Sequence, residues 1–293
     1  MDIIVTGASG FLGKVCCQHL RAHRVIRLSR SEGDIIADLA KEVPTLPASD
    51  LVVHAAGLAH IQPRSRAEKA AFFDVNVRGT EHLLAGLAAS AVLPRYFVYI
   101  SSVAVYGVEA GLDINEQAPL LARDAYGQSK AEAEARVAAW CREHGVVCSL
   151  LRLPLIYGAA PKGNLAAMWK ALSKGYYFNV GGGNVRRSMV LAQDVAKALL
   201  TVAPLGGTYN LTDGRHPTLA QLSAAMARRA GCKPPANMPH SMALLLARMG
   251  DMLGSKAPIN RKKLQKITSD LIFDDSLARE RFQWQPEAVI DHL

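Results

Sequence analysis

Short apolar runs recur through the first half of the chain, separated by longer stretches whose apolar positions return every three or four residues. Asp2–Val5, Arg24–Leu28, Leu51–His54, Tyr96–Ser101 and Val147–Arg152 are short and β-rich. Between the third and fourth of these, Leu84, Leu87, Ala88 and Ala91 follow the spacing of one helix face. Strand, helix, strand repeated in this way predicts an α/β fold, a doubly wound parallel sheet with helices on both faces. Sheets of that kind bind ligands at the carboxyl ends of their strands.

After Tyr157 the texture changes. Gly158, Pro161, Gly163 and the run Gly181-Gly182-Gly183 punctuate loops. A helix is expected after Asp194, read as its N-cap, and a further strand at Thr208–Leu211. The rest is helical, basic and rich in Ala, Leu and Met. The expected organisation is a sheet domain over 1–157 with a return segment near 188–211. Residues 158–187 and 212–293 then form a smaller, mostly helical C-terminal lobe for the substrate. Leu244–Leu246, within Ser241–Leu253, reads as part of a core or interface helix.

Composition narrows the class. The chain has 293 residues, 50% of them hydrophobic and 20% charged, which is globular and excludes global disorder. No apolar run reaches the roughly 18 residues of a membrane span. Met1-Asp2-Ile3-Ile4-Val5 enters a strand pattern directly and lacks the basic stretch of a secretory signal, so a cytoplasmic protein is expected. Cys16, Cys17, Cys141, Cys148 and Cys232 form no CxxC pair, and five is an odd number. Neither a disulfide framework nor a metal site is expected, and Cys16 and Cys17 are expected to pack within a helix.

Charge adds one question. The formal net charge is +9, and Gly214 to Lys266 holds ten Lys/Arg against one acid, Asp251. This excess reads either as a solvated basic face or as a surface for an anion, including weak association with a membrane surface. Nucleic acid fits poorly, because the basic stretch lacks interleaved aromatics.

Thr6-Gly7-Ala8-Ser9-Gly10-Phe11-Leu12-Gly13 ends the first strand and opens a helix. Gly7 permits a tight turn, Gly10 lets a pyrophosphate approach the backbone, and Gly13 allows close helix–strand packing. The free N–H groups of the helix start then face the phosphates. This is a Rossmann-type dinucleotide loop. An acid about 20 residues past it would bind the ribose 2′-hydroxyl of NAD. Ser29 and Arg30 stand there instead, a hydroxyl and a guanidinium that suit the 2′-phosphate of NADP. NADP is therefore favoured over NAD. In the other reading Arg30 is merely solvated and Glu32 or Asp34 reaches the ribose. Asp38 and Leu39 are candidates to flank the adenine.

Tyr126 and Lys130 are spaced i and i+4, which places them on one helix face. A free phenol, with a pKa of about 10, is a weak acid or base at neutral pH. A nearby ammonium stabilises its anion, and a positive nicotinamide acts in the same direction. Ser101 and Ser102, at the end of the strand Tyr96–Ile100, offer a hydroxyl to hold a substrate oxygen.

On these motifs the chain resembles the extended short-chain dehydrogenases/reductases of the nucleotide-sugar epimerase/dehydratase family. Besides the glycine loop, the resemblance rests on Leu51-Val52-Val53-His54-Ala55-Ala56-Gly57, Asn76-Val77-Arg78-Gly79-Thr80 and Ser101-Ser102-Val103-Ala104-Val105-Tyr106-Gly107. Tyr126-Gly127-Gln128-Ser129-Lys130, Arg152 to Gly158, Gly163-Asn164-Leu165, Arg187 to Val190 with Asp194, and Phe282 to Pro286 extend it nearly end to end. The resemblance implies that Ser102, four residues before Tyr106, is the catalytic serine. It makes Tyr126 the proton donor or base, and Lys130 the group that holds the nicotinamide ribose and tunes Tyr126. Cofactor contacts are expected from Gly7, Ser9, Gly10, Phe11, Leu12, Ser29, Arg30, Asp38, Leu39, Ala55, Ala56, Gly57, Tyr126 and Lys130. Asn164 and Arg187 would contact the diphosphate of a UDP-sugar, or Arg187 would instead bridge the two lobes. Ser102, Val103 and Tyr126 would border the sugar.

Two departures limit the chemistry. Sugar 4,6-dehydratases of the family carry an Asp-Glu pair after the serine or threonine, where Val103 and Ala104 stand here, so water elimination is not expected. The Arg-Pro-Gly-Asp stretch of many epimerases is replaced by Asn260-Arg261-Lys262-Lys263. Ala59-His60-Ile61-Gln62 is similar to a bacterial subgroup of ketoreductases and epimerases acting on UDP-linked N-acetylated 6-deoxy sugars of surface polysaccharides. There His60 would bond the sugar or simply occupy a loop. The expected reaction is NADPH-dependent reduction at C4 of a UDP-4-keto-6-deoxy-N-acetylhexosamine. The alternatives are an NAD-dependent UDP-sugar 4-epimerase and, remotely, a non-catalytic dinucleotide sensor. By resemblance a homodimer is expected, paired through helices near Asn76–Ala91 and Ala125–Trp140.

Overall fold

The structure, a computed structural model, describes residues 1–59, 61–158, 163–252 and 260–293. His60 therefore lies outside the described residues. The strands are β1 (Asp2–Thr6), β2 (Arg24–Ser29), β3 (Ile35–Ile36), β4 (Leu51–His54), β5 (Tyr96–Ser102), β6 (Gly111–Ile114) and β7 (Val147–Leu153). They continue with β8 (Leu155–Tyr157), β9 (Asn179–Val180), β10 (Met189–Leu191), β11 (Gly207–Asn210), β12 (Asn237–Met238) and β13 (Leu271–Phe273). Seven of them form one sheet in the order β11-β7-β5-β4-β1-β2-β3, every pair parallel. The order reverses beside β1, which places a ligand crevice outside the carboxyl ends of β1 and β4.

The sheet is buried on both faces, so its strands read as continuous apolar runs. Successive side chains still alternate between two cores. Ile3, Val5, Leu51, Val53, Val98 and Ile100 pack with α1 (Phe11–His19), while Ile4, Val52, Phe97 and Tyr99 face the opposite layer. That opposite layer is reached by α2 (Arg66–Phe73), a π-helical turn over Asp74–Arg78, α3 (Gly79–Ala88) and α4 (Ala125–Glu143). The first layer is completed by α6 (Ala192–Val202), which follows α5 (Gly163–Ser173) in the chain.

A separate apolar cluster joins Leu165, Met168 and Leu172 of α5 to Leu222 and Met226 of α7 (Leu219–Arg229). Beyond it lie α8 (His240–Met252), α9 (Arg261–Thr268) and α10 (Ser276–Phe282). α10 turns back to the sheet. Ala278 and Trp284 enter the first core, and the Trp284 indole N–H donates to the Thr212 carbonyl at 2.8 Å. Among the described residues no helix is long and apolar enough to cross a membrane.

Two expectations about helices need correction, and a third holds only in part. Asp194 is not the N-cap of α6, which is Leu191. Its buried carboxylate instead accepts bonds from the Glu287 N–H at 2.8 Å and the Lys197 ammonium at 2.9 Å, tying down the end of the chain. α3 stops at Ala88, and its core face is Leu83, Leu84 and Leu87, whereas Ala88 and Ala91 are exposed. In α8, Ala243, Ala247 and the half-buried Leu244 pack, so that expectation holds for Leu244, while Leu245 and Leu246 face solvent. Of the adjacent cysteines, Cys16 is fully buried and Cys17 half-buried against the same core.

Candidate active site

The dinucleotide loop is built by close approach. Gly7 has φ +65°, and a β-carbon on it would come within 2.7 Å of the Ala56 backbone. A β-carbon on Gly13 would meet the Gly7 carbonyl oxygen at 2.1 Å. Beyond the loop's own Gly7 oxygen, a β-carbon on Gly10 would meet nothing, so the backbone there is open to a bulky anion. Gly10 also caps α1 without any side-chain bond, and the first turn carries no acid. The positive end of α1 thus faces the opening, and these residues fit a dinucleotide pyrophosphate.

His54, at the end of β4, holds the facing loop. Its ring nitrogens bond Thr6 Oγ1 at 2.6 Å and Thr80 Oγ1 at 2.9 Å, and Thr6 Oγ1 accepts the Ala56 N–H at 3.1 Å. Burial depresses the imidazole to about 3, with the nearby Lys130 charge adding to it, so His54 is neutral. Ala55, Ala56 and Gly57 are thereby fixed beside Gly7.

At the end of β2 the two acids that might have served the ribose already have cations. Asp34 pairs with Arg27 through the Arg27 N–H and guanidinium, and Glu32 meets Lys14 at 3.2 Å. The Ser29 hydroxyl is occupied too, donating to the Glu32 carbonyl and accepting from the Glu32 N–H. That turn, rather than a ligand, takes the serine. Arg30 is exposed, and among the described residues no ion pair involves it. Further along, the Asp38 carboxylate accepts from the Ala40 N–H and faces Lys41, while the buried Leu39 offers its carbonyl to His82.

Strand alternation separates the two serines. Ser101 donates to the buried carboxylate of Glu134, which also pairs with Arg152 at 2.7 Å. Ser102 points the other way, where its hydroxyl accepts the Ala104 N–H at 3.2 Å and pulls the Tyr126 phenol down from the value that burial alone would give it. Asp124 caps α4 by accepting the Gly127 N–H, which starts the helix one residue before Tyr126. The Lys130 ammonium, one turn on, donates to the Ile100 carbonyl at 2.7 Å and lies 4.0 Å from the Tyr99 ring centroid.

Burial dominates the protonation of both groups. Tyr126 is raised above the usual phenol value, the Ser102 hydroxyl opposing only part of that. Lys130 is lowered to about 7, against the favourable field of Glu134. The Lys130 ammonium bonds the Ile100 carbonyl, and the raised phenol stays protonated at neutral pH.

A residue outside the expected set supports this arrangement. Asn76, in the π-helical turn, accepts the Leu58 N–H at 2.6 Å and donates to the Leu58 carbonyl and to Ser129 Oγ. The Ser129 hydroxyl in turn donates to the Tyr126 carbonyl at 2.8 Å. The motif containing Asn76 was visible in the sequence, but this role depends on residues 18 and 53 positions away.

The Arg187 guanidinium bonds the backbone carbonyls of Arg186, Lys266 and Ser269, so it caps the end of α9. Asn164 is exposed in the first turn of α5, and Val103 is half-buried directly after Ser102. Among the described residues no cluster of three or more His, Cys, Asp or Glu side chains suits a metal.

A parallel doubly wound sheet with a glycine-lined dinucleotide loop, and serine, tyrosine and lysine gathered at its carboxyl edge, defines an NAD(P)-dependent enzyme of the short-chain dehydrogenase/reductase type. The chain belongs to the NAD dependent epimerase/dehydratase family, whose model matches residues 3–211. It is 26% identical to UDP-glucose 4-epimerase of Vibrio cholerae, over 99% of this chain and 92% of that one. It is 28% identical to N-acetyl-alpha-D-glucosaminyl-diphospho-ditrans,octacis-undecaprenol 4-epimerase of Escherichia coli O157:H7, over 69% of this chain and 64% of that one. The fold matches UDP-glucose 4-epimerase of Thermotoga maritima, solved with UDP-glucose, at a TM-score of 0.75 and 21% identity, covering 99% and 96% of the two chains.

Proposed function

We propose that the protein reduces C4 of a UDP-4-keto-6-deoxy-N-acetylhexosamine with NADPH, in surface polysaccharide synthesis. The observation that carries the cofactor choice is Arg30, exposed just after β2 where both neighbouring acids, Glu32 and Asp34, are already engaged by Lys14 and Arg27. Gly7, Ser9, Gly10, Phe11 and Leu12 would hold the pyrophosphate, and Ala55, Ala56 and Gly57 the nicotinamide half. Bound NADPH supplies a hydride.

The chain's own residues supply the proton and the grip. Tyr126, protonated at neutral pH, donates its proton to the C4 oxygen as negative charge develops there. Ser102, whose hydroxyl acts on the phenol, steadies the same oxygen. Lys130, which sits over Tyr99, would hold the nicotinamide ribose. Arg187 keeps donor capacity beyond its three backbone bonds, and with Asn164 it would grip the diphosphate. Val103 and Ala104 cannot transfer protons, which disfavours water elimination. Residues 1–157 and 188–211 form the cofactor domain in this reading.

A second reading, a UDP-sugar 4-epimerase that retains NAD, is favoured by the Vibrio cholerae relative. Ser102, Tyr126 and Lys130 would serve it equally. Denaturing the purified protein and identifying any released dinucleotide separates the two. A protein that arrives empty, binds NADPH better than NADH and consumes it with the 4-keto sugar supports the reductase. Stoichiometric NAD that survives purification, with interconversion of C4 epimers, overturns it in favour of the epimerase.

A further inference from the structure

α8 has two unlike faces. Ala243 and Ala247 are fully buried, packed with Leu264 of α9 and against Val180 and Met238. On the other side Met242, Leu245, Leu246 and Met249 are 48%, 59%, 39% and 58% exposed. Their spacing of three, one and three residues places all four within one stripe along the helix. Two alanines with the half-buried Leu244 make the seat, while four of the helix's large apolar residues point outward. Folding leaves this stripe in contact with water, and a contiguous apolar patch of that kind marks an interaction surface.

The surrounding charge identifies the occupant. Arg248 is exposed on the same helix, and α9 begins with Arg261. The one acid between Gly214 and Lys266, Asp251, accepts the Arg261 backbone N–H. Next to α8, β12 pairs with β9, and the segment leading into β9 exposes Tyr176 and Phe178. Phe178 lines a surface cleft together with Lys174 and Lys233. Exposed Leu and Met, interfacial aromatics and lysines or arginines, with almost no acid, are the pattern of a face that lies on an anionic bilayer. A second copy presenting the same basic face would be repelled. At 13 residues, α8 is too short to span a bilayer, so it would lie in the interface plane.

We propose that the exposed stripe of α8, flanked by these cations, docks the protein peripherally onto membranes rich in anionic lipid, whichever sugar the active site takes. The substrate lobe would then work at the surface where membrane-borne glycans are assembled.

Sedimentation with sucrose-loaded phosphatidylcholine vesicles, with and without phosphatidylglycerol, tests this. The wild-type chain is expected to sediment with the anionic vesicles, less so at high salt, and to stay behind with neutral ones. The Leu245→Glu/Met249→Glu variant changes only exposed positions outside the site. It is expected to lose about tenfold or more of vesicle binding while its melting temperature and NADPH titration stay unchanged. Failure of the wild type to bind anionic vesicles overturns the proposal, as does equal binding by the variant. A concentration-dependent dimer that this variant disperses would also overturn it, by showing that a second copy covers the stripe.

Discussion

Asn76 Nδ2 donates to Ser129 Oγ at 2.9 Å, joining the π-helical turn to the helix that carries Tyr126 and Lys130. One side chain thus sets the spacing between the Gly57–Leu58 loop and the catalytic helix. Asn76→Ala would leave the half-buried Leu58 N–H without its partner, at up to about 1–3 kcal/mol. A lower melting temperature together with a reduced turnover is expected. Normal stability and normal turnover would remove Asn76 from the frame of the site.

Tyr126→Phe removes the proposed proton donor and keeps the ring that lies 6.0 Å from Phe72. Turnover should fall by about 10²- to 10⁴-fold, the usual worth of a positioned acid. Dinucleotide affinity should change little. Unaltered turnover in a steady-state assay would exclude the phenol as the donor.

Arg30→Ala tests the cofactor choice alone. Loss of a guanidinium from a phosphate should weaken NADPH about 10- to 100-fold and leave NADH nearly unaffected. Equal weakening of both, measured by fluorescence titration, would place Arg30 away from the 2′-phosphate.

Gly13→Ala forces a β-carbon to within 2.1 Å of the Gly7 carbonyl oxygen, so the loop and α1 must separate. Binding of either dinucleotide should fall by more than about tenfold, with a loss of stability, since overpacking costs about 1–3 kcal/mol. Retained binding would show that the loop tolerates the displacement.

His54 gives the fold a pH signature. Its folded value of about 3 lies below the usual 6.5, because burial disfavours the imidazolium. Between these values the unfolded chain binds the proton and the folded chain does not. Stability is thus intact above pH 6.5 and falls as the pH drops toward 3, by up to about 1.4 kcal/mol per unit. Urea unfolding of the wild type and His54→Gln across this window should differ in slope by close to one proton. Parallel slopes would mean that His54 titrates normally.

The sequence by itself determined the sheet, the dinucleotide loop and the candidate chemistry. Strands buried on both faces are continuous apolar runs, and the predicted bounds of β1, β2, β4, β5, β7 and β11 fall within a residue of those observed. Gly7, Gly10 and Gly13 lie within one turn, and Tyr126 and Lys130 within one helix, so their spacing alone implies their geometry. Tertiary structure decided whatever depends on partners distant in sequence. It turned Ser101 onto Glu134 and left Ser102 for Tyr126, closed the Ser29 hydroxyl into a turn, and drew Asp194 to the end of the chain. It tied Arg187 to α9, and it left Leu245 and Leu246 of α8 outward. Local propensity cannot see these outcomes, because a buried polar group is satisfied by whichever partner the fold brings within hydrogen-bond reach. In the same way, an apolar face is buried only if another element arrives to cover it.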